Sequence, residues 1–147
     1  MITNMQKSQQ RSYVISLFSL ATAGLLFSGY LSAVKLFSGT CAFNESCPYF
    51  LGFPACWYGF TMYAAMFIVT GIALIRKTNI RKVILTDILV SFLGILFAGR
   101  FVVIEFLQSR VTGTLGLSTC VYGLIFYIAI FIVSCVAYKR LKRTIDL

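Results

Sequence analysis

The chain has 147 residues, of which 59% are hydrophobic and only 12% are charged, and it carries a net charge of +9. A soluble domain averages about 25% charged residues, so this composition indicates a single-domain integral membrane protein. The sequence contains no histidine and only four acidic residues. The absence of histidine removes the commonest metal ligand and the commonest general base. The small number of acidic residues argues against a carboxylate-based hydrolase, which leaves cysteine chemistry.

Four apolar runs are long enough to cross a bilayer, which takes about 20 residues. The predicted spans are residues 13–36, 56–75, 83–107 and 117–138. The predicted fold class is therefore all-α, an integral membrane four-helix bundle. A polar arm at residues 1–12 precedes the four-span domain at 13–138, and a basic tail follows at 139–147. We expect no internal repeat.

The basic residues predict the topology, because ten of the thirteen lie at one face of the predicted bundle. These ten are Lys7, Arg11, Arg76, Lys77, Arg81, Lys82, Lys139, Arg140, Lys142 and Arg143. The positive-inside rule makes that face cytoplasmic, with both termini inside. The net charge then reports topology and contact with anionic lipids of the bilayer, and nucleic-acid binding is not expected. The expected location is the inner or plasma membrane, as a multi-pass protein.

Three of the five cysteines lie in the stretch "CAFNESCPYFLGFPAC" between spans one and two, at Cys41, Cys47 and Cys56. With a rise of ~1.5 Å per residue, Cys120 at the head of span four lies at a depth similar to that of Cys56. The four thiols therefore gather at the non-cytoplasmic surface, where disulfides persist. Cys135 lies toward the opposite end of span four, where it is most simply a small buried hydrophobe.

Three interpretations of the cysteine group compete: a structural staple, a metal site and a redox centre. Four thiols allow three disulfide connectivities. The Cys-x5-Cys and Cys-x8-Cys spacings lack the Cys-x2–4-Cys knuckle of a zinc site, so no metal is expected. The residues alone leave the staple and the redox centre open.

Three stretches carry a resemblance to a known family. "SGYLSAVKLFSGTCAFNESC" resembles the end of the first span of vitamin K epoxide reductase and its bacterial homologues, where "YL" precedes two loop cysteines. "LGFPACWYGFTMYA" is similar to the next family element, a G-x-P followed by a Gly and a Tyr, here Gly52, Pro54, Gly59 and Tyr63. "LSTCVYGLIFYIA" lies where the family carries its membrane Cys-x-x-Cys. The resemblance covers residues 13–138.

The resemblance implies a four-helix bundle that couples disulfide formation to the reduction of a membrane quinone of the ubiquinone or menaquinone type. It implies that Cys41 and Cys47 exchange with a thioredoxin-like partner outside the membrane. It also implies a membrane cysteine pair, of which the first member matches Cys120 and the second matches Gly123. Because a dithiol relay needs a resolving thiol, "CVYG" is a departure from the family pattern.

Two repairs of this departure are open. Cys56 could pair with Cys120 from a different helix, or the chain could have lost quinone chemistry and kept the fold. The simplest reading of Gly123 itself is close helix packing, which small residues allow in membranes.

Two helical stripes could frame a quinone ring. Cys56, Gly59, Phe60 and Tyr63 lie on one stripe of span two, at positions i, i+3, i+4 and i+7. Cys120, Gly123, Leu124 and Tyr127 make the same pattern on span four. A hydroxyl of Tyr63 or Tyr127 could donate to a quinone carbonyl, and the alternative is that both rings simply pack the bundle.

Two charged residues lie inside the predicted spans. Arg100 lies about seven residues from the outer end of span three, where an unpaired central charge costs at least ~2.5 kcal/mol. Near Cys120 it would stabilise a thiolate or a quinol anion. Alternatively it snorkels to the headgroups or pairs with a carboxylate of another helix. Asp87 lies near the other end, where snorkelling and a basic neighbour such as Arg81 or Lys82 account for it.

The predicted function is therefore a membrane thiol–disulfide oxidoreductase. Electrons would pass from Cys41 and Cys47, through Cys120 and Cys56, to a quinone held near Tyr63, Tyr127, Gly123 and Arg100. The alternative is a non-catalytic, disulfide-stapled membrane protein of the same fold that acts as a subunit or scaffold. A small transporter subunit is disfavoured, because the spans carry few polar residues.

Overall fold

The computed structural model describes residues 2–39, 49–76, 78–107 and 119–145. It contains four helices, α1 Ile2–Ser38, α2 Ala55–Ile75, α3 Ile80–Leu107 and α4 Thr119–Ile145. The prediction of an all-α four-helix bundle is confirmed. Helix α1 already begins within the segment expected to be a polar arm, and α4 continues through most of the segment expected to be a basic tail.

All four helices are long and apolar enough to cross a membrane, so the protein is a multi-pass membrane protein. The candidate spans are Ser8–Ser38, Ala55–Ile75, Ile80–Ile104 and Thr119–Arg143. Large apolar side chains face outward along each of them, for example Leu26, Ile68, Leu96 and Ile132. Such surfaces suit contact with lipid chains, because an exposed apolar face of this extent is rare in soluble proteins.

The helices form a ring in chain order. Helix α1 packs against α2 and α4, and α3 packs against α4 and α2, with the largest contacts inside the pairs α1–α2 and α3–α4. Helices α2 and α4 therefore face each other across a diagonal. We call the end where α2 and α4 begin the cysteine end, since Cys56 and Cys120 lie there. The other end, which carries Arg11, Arg81 and Arg140, is the basic end.

A small β-hairpin leads into α2 at the cysteine end. Strand β1, Tyr49–Phe50, pairs antiparallel with β2, Phe53–Pro54. The two turn residues, Leu51 and Gly52, have φ angles of 50° and 86°. Positive φ at both positions is the geometry of a type I′ turn, which glycine adopts freely and leucine does not. The G-x-P element of the sequence is therefore the second half of this hairpin.

The hairpin is attached to the bundle through aromatic contacts. The Tyr58 hydroxyl donates to the Phe50 carbonyl oxygen at 3.2 Å. The Phe50 ring meets the Tyr58 and Phe97 rings edge-on, with centroids 5.5 Å apart in both pairs. These contacts join the approach to α2 with the outer part of α3.

The helical hairpins α1–α2 and α3–α4 are two copies of one unit. Helix α1 contains "GLLFSG" from Gly24, and α3 contains "GILFAG" from Gly94. Helix α2 contains "CWYGFTMYAAMFIV" from Cys56, and α4 contains "CVYGLIFYIAIFIV" from Cys120. Both copies of the second motif read C-x-Y-G-x3-Y-x-A-x-F-I-V. The expectation of no internal repeat is wrong.

The repeat is also present in the packing. The buried residues of α1 are Val14, Leu17, Ala21, Gly24 and Ser28, and they correspond in order to Ile84, Asp87, Ser91, Gly94 and Ala98 on α3. Contacts between the hairpins repeat as well. Tyr58 of α2 meets Phe97 of α3 with ring centroids 5.5 Å apart, and Tyr122 of α4 meets Phe27 of α1 at 6.0 Å. The bundle therefore has a pseudo-two-fold axis along its length.

Candidate functional site

Two stacked tyrosines occupy the centre of the bundle. The rings of Tyr63 on α2 and Tyr127 on α4 are nearly parallel, with an interplanar angle of 9° and centroids 4.4 Å apart. Their exposed fractions are only 1% and 2%. The pseudo-two-fold axis passes between the rings, because each ring is the other's counterpart in the repeat.

The two hydroxyls link the diagonal helices reciprocally. The Tyr63 hydroxyl donates to the Gly123 carbonyl oxygen at 2.8 Å, and the Tyr127 hydroxyl donates to the Gly59 carbonyl oxygen at 3.3 Å. Buried tyrosine hydroxyls need such partners, and here each finds a backbone carbonyl of the opposite helix. Helices α2 and α4 are thereby held together without a large contact of their own.

Glycines on the other two helices make room for the rings. A Cβ atom at Gly24 of α1 would overlap the Tyr63 ring, and one at Gly94 of α3 would overlap the Tyr127 ring. Each tyrosine therefore lies flat against the glycine of its own hairpin. The first glycine of both G-x-L-F-x-G copies is explained by this contact.

Cys56 and Cys120 occupy equivalent positions two helical turns from the tyrosines, toward the cysteine end. Residues seven apart share a helix face, so both cysteines lie on the face that carries Tyr63 or Tyr127 into the bundle. Both are half-buried. The Ser32 hydroxyl of α1 donates to the Cys56 carbonyl oxygen at 3.4 Å. The Cys56 thiol is free in this structure.

In the described part of the chain the space beside Gly123 is open, whereas a glycine that allows close helix packing would touch a neighbouring helix. A Cβ atom there would meet nothing within 4 Å among the described residues. Its contribution to the centre is its carbonyl oxygen, which accepts from Tyr63. In the repeat, Gly123 is the counterpart of Gly59, whose carbonyl oxygen accepts from Tyr127 in the same way.

The space between the two stripes is filled by the tyrosine rings themselves. The expected arrangement has a flat ligand between the stripes and a tyrosine hydroxyl directed at it. In this structure Tyr63 and Tyr127 stack on each other, and both hydroxyls are donated to backbone carbonyls. A quinone at this position would have to separate the rings and replace both hydrogen bonds.

An apolar groove lies instead on the outside of the α1–α2 hairpin near the cysteine end. Its volume is about 310 Å³. It is lined by Ser32, Ala33, Leu36, Phe37, Trp57, Phe60 and Thr61. The groove is large enough for an aromatic ring system and opens toward the lipid-facing surface. It runs beside the first turn of α2, which carries Cys56.

Arg100 projects from the outer surface of the bundle. It is exposed, and its counterpart in the repeat is the exposed Tyr30. Since the last described residue of α3 is Leu107, the arginine lies two turns from the helix end. Snorkelling to the headgroups fits this position. The Glu105 side chain is outside what the structure describes.

Asp87 differs from its expected surroundings. Only 1% of it is exposed, and neither carboxylate oxygen has a hydrogen-bond partner among the described residues. Arg81 and Lys82 are both exposed. The interpretation of Asp87 as a snorkelling acid with a basic neighbour is therefore wrong. Position along the span gives only the depth of Asp87 in the membrane, whereas the face of α3 on which it lies decides its burial.

The remaining cysteines are distributed as follows. Cys41 and Cys47 lie outside the described residues. Cys135 is a half-buried free thiol near the basic end of α4. Within the described parts of the chain, no group of three or more His, Cys, Asp or Glu side chains could hold a metal ion.

Comparison with known proteins gives no assignment. No family model matches the chain, and no curated protein or solved structure matches it significantly.

Proposed function

We propose that the protein is a membrane thiol–disulfide oxidoreductase that passes electrons from outward-facing cysteines to a membrane quinone, as its resemblance to the vitamin K epoxide reductase family implies. Disulfide formation in an outside thioredoxin-like partner would be the process that it supports. The cysteine end would face the non-cytoplasmic side of an inner or plasma membrane, because basic residues concentrate at the other end.

The observation that carries this proposal is the equivalent placement of Cys56 and Cys120. Both lie at the head of a diagonal helix, on the inward face, two turns from the tyrosine pair. The reciprocal bonds of Tyr63 and Tyr127 fix the helices relative to each other. A thiol pair drawn from two helices would supply the resolving partner that Gly123 lacks.

Electrons would pass from the partner dithiol to the quinone in three exchanges. A partner dithiol reduces the Cys41–Cys47 disulfide and is itself oxidised to a disulfide. The resulting Cys41–Cys47 dithiol reduces a Cys56–Cys120 disulfide by thiolate attack through a mixed disulfide, and the Cys41–Cys47 disulfide forms again. The Cys56–Cys120 dithiol then gives two electrons and two protons to the quinone, which leaves as quinol, and the Cys56–Cys120 disulfide forms again.

The groove beside Trp57 and Phe60 supports a route for the quinone from the lipid. Its apolar lining suits a quinone ring, and its opening toward the lipid face suits an isoprenoid tail. A quinone there would lie beside the first turn of α2, which carries Cys56, and would not separate Tyr63 from Tyr127.

A thiol-trapping assay on membranes tests the proposal. Membranes are incubated without oxygen, with or without added quinone, and free thiols are then labelled with a reagent that shifts the protein on a gel. We expect quinone to increase the bridged fraction in the wild-type protein. Cys41→Ser and Cys120→Ser should abolish this change.

Cys135→Ser is the matched control, because Cys135 lies near the basic end, away from the proposed relay. It should leave the quinone-dependent change intact. Cysteines that stay bridged with and without quinone would overturn the proposal.

A second function is favoured by the filled centre of the bundle. Because the stacked rings of Tyr63 and Tyr127 fill the centre between the stripes, the chain also suits a non-catalytic, disulfide-stapled scaffold or subunit. In that case the bridges form once and do not respond to quinone, which is the outcome that overturns the first proposal in the same assay.

A further inference from the structure

An acidic side chain is buried within the membrane-spanning part of α3. Asp87 lies seven residues, or ~10 Å, beyond the start of α3 and is 1% exposed. Neither of its carboxylate oxygens accepts a hydrogen bond in the described part of the chain. An ionisable side chain inside a membrane span costs free energy and usually has a function. We therefore expect Asp87 to bind a partner or a ligand.

A second unpartnered polar group lies at the same level. Tyr127 of α4 packs against Gly94 of α3. Because the two helices are antiparallel, Ser134 on α4 and Asp87 on α3 both lie two turns from this contact toward the basic end. Ser134 is fully buried, and its hydroxyl has no partner among the described residues. Asp87 and Ser134 therefore both carry side-chain oxygens without a partner among the described residues, at the same depth inside the bundle.

The neighbouring hydroxyls do not solvate the acid. Ser91 donates to the backbone carbonyl oxygen of Asp87, and Thr70 donates to that of Met66 at 2.7 Å. Both hydroxyls are thus used within their own helices.

The repeat provides an internal control for what the fold requires here. The counterpart of Asp87 in the first hairpin is Leu17, which is equally buried at 1% exposure. The same packing position is therefore filled by an apolar side chain in one copy of the unit. Since the architecture works with leucine, the acid is not needed to form the bundle.

A small cavity lies between this level and the basic end. Its volume is about 30 Å³, which is room for a water molecule. Ile84 and Ala137 line it, and they lie one helical turn from Asp87 and Ser134. Toward the helix ends the cavity is lined by Ile80 and Leu141 and by four polar side chains, Gln9, Gln10, Tyr13 and Arg140.

We propose that Asp87 is an intramembrane proton-binding site that exchanges its proton with water at the basic end through this cavity. Proton binding converts the carboxylate to a neutral carboxylic acid, and no electron moves. The neutral acid avoids the cost of a buried charge at a position where neither carboxyl oxygen has a partner among the described residues. The proposal does not rest on the oxidoreductase function.

Few charged or titratable groups among the described residues lie near the site, and one of them is Cys135, which follows Ser134 on α4 and is half-buried. Tyr13 of α1 and Arg140 of α4 line the cavity between Asp87 and the basic end. Helix α2 carries its titratable side chains, Cys56, Tyr58 and Tyr63, in its half toward the cysteine end.

Infrared difference spectroscopy on the full chain in lipid tests the proposal, because the sequence has only four acidic side chains. We expect a carboxylic-acid C=O band near neutral pH that disappears at high pH and shifts on exchange into D2O. Asp87→Asn should remove this band. Glu105→Gln, the matched control on the same helix, should retain it. Gln10→Leu, which removes a polar lining group, should slow the D2O shift at least several-fold.

The outcomes separate the proposal from its rivals. A band that never responds to pH or D2O would mean a permanently neutral structural acid and would overturn the exchange. An ionised carboxylate whose signal depends on Na⁺ concentration would mean a cation site and would overturn proton binding. If Asp87→Asn fails to fold, ¹³C-aspartate labelling in the Asp146→Asn background assigns the band to Asp87 without changing it.

Discussion

Substitution of Gly94 by alanine tests the packing of the tyrosine pair most directly. A Cβ atom at this position would lie 2.5 Å from Cδ1 of Tyr127, well inside contact distance. Overpacking a filled interior costs about 1–3 kcal/mol. If the ring moves away, its hydroxyl also loses the Gly59 carbonyl, which costs a further ~0.5–1.5 kcal/mol. We therefore expect Gly94→Ala to lower the free energy of unfolding by about 2–4 kcal/mol before any helix-propensity gain.

Gly99→Ala is the matched control on the same helix. A Cβ atom at Gly99 meets nothing within 4 Å among the described residues. Both variants gain the same helix propensity, up to ~1 kcal/mol, so their difference isolates the ring contact. Both glycines belong to the G-x-L-F-x-G motif of α3, so the two substitutions lie within one short stretch of the same helix.

Unfolding in mixed detergent micelles provides the measurement, with fluorescence of Trp57, the only tryptophan of the chain, as the signal. The expected result is a gap of about 2–4 kcal/mol between Gly99→Ala and Gly94→Ala. Equal stability of the two variants would refute the assignment of Gly94 as the platform for Tyr127.

Four further substitutions probe the centre and its approach. Tyr63→Phe removes the 2.8 Å hydrogen bond and should lower the free energy of unfolding by about 1 kcal/mol in the same assay. Tyr127→Phe removes the longer bond of 3.3 Å and should lower it by less. A larger loss for Tyr127→Phe than for Tyr63→Phe would contradict the geometry. Gly123→Cys should keep a free energy of unfolding within about 0.5 kcal/mol of the wild-type value, because the space beside Gly123 is open. Gel-shift labelling should then detect a new thiol one helical turn from Cys120. Failure of this variant to fold would contradict the open space. Leu51→Gly should raise the unfolding free energy by up to ~1 kcal/mol by relieving the positive φ, and a decrease would exclude strain at this turn.

The sequence predicted those features that depend on one helix at a time. Apolar run length predicted four spans, and helical periodicity placed Cys56 and Tyr63 on one stripe, with Cys120 and Tyr127 on another. Both steps use only the geometry of a single helix. The identical pattern of the two stripes is visible in the sequence, and it extends into α1 and α3 as the two copies of G-x-L-F-x-G.

Features that depend on the spacing between helices could not be predicted in this way. Tyr63 and Tyr127 could enclose a ligand or stack on each other, and the distance between the helices decides which of the two occurs. Gly24 and Gly94 set that approach, and they lie on helices other than those that carry the rings. The burial of Asp87 likewise depends on the register of α3 against α4, which hydropathy along one helix does not contain.

Symmetry also makes the order of the two hairpins interchangeable. The first turns of α1 and the last turns of α4 line the same cavity at the basic end, and α2 joins α3 at that end through a short link. A circularly permuted chain that begins with α3–α4 and continues, through a new short link, into α1–α2 would bring the same glycines, tyrosines and cysteines together. The information for assembly therefore lies within each hairpin and in its match to the other, and little of it lies in the connection between them.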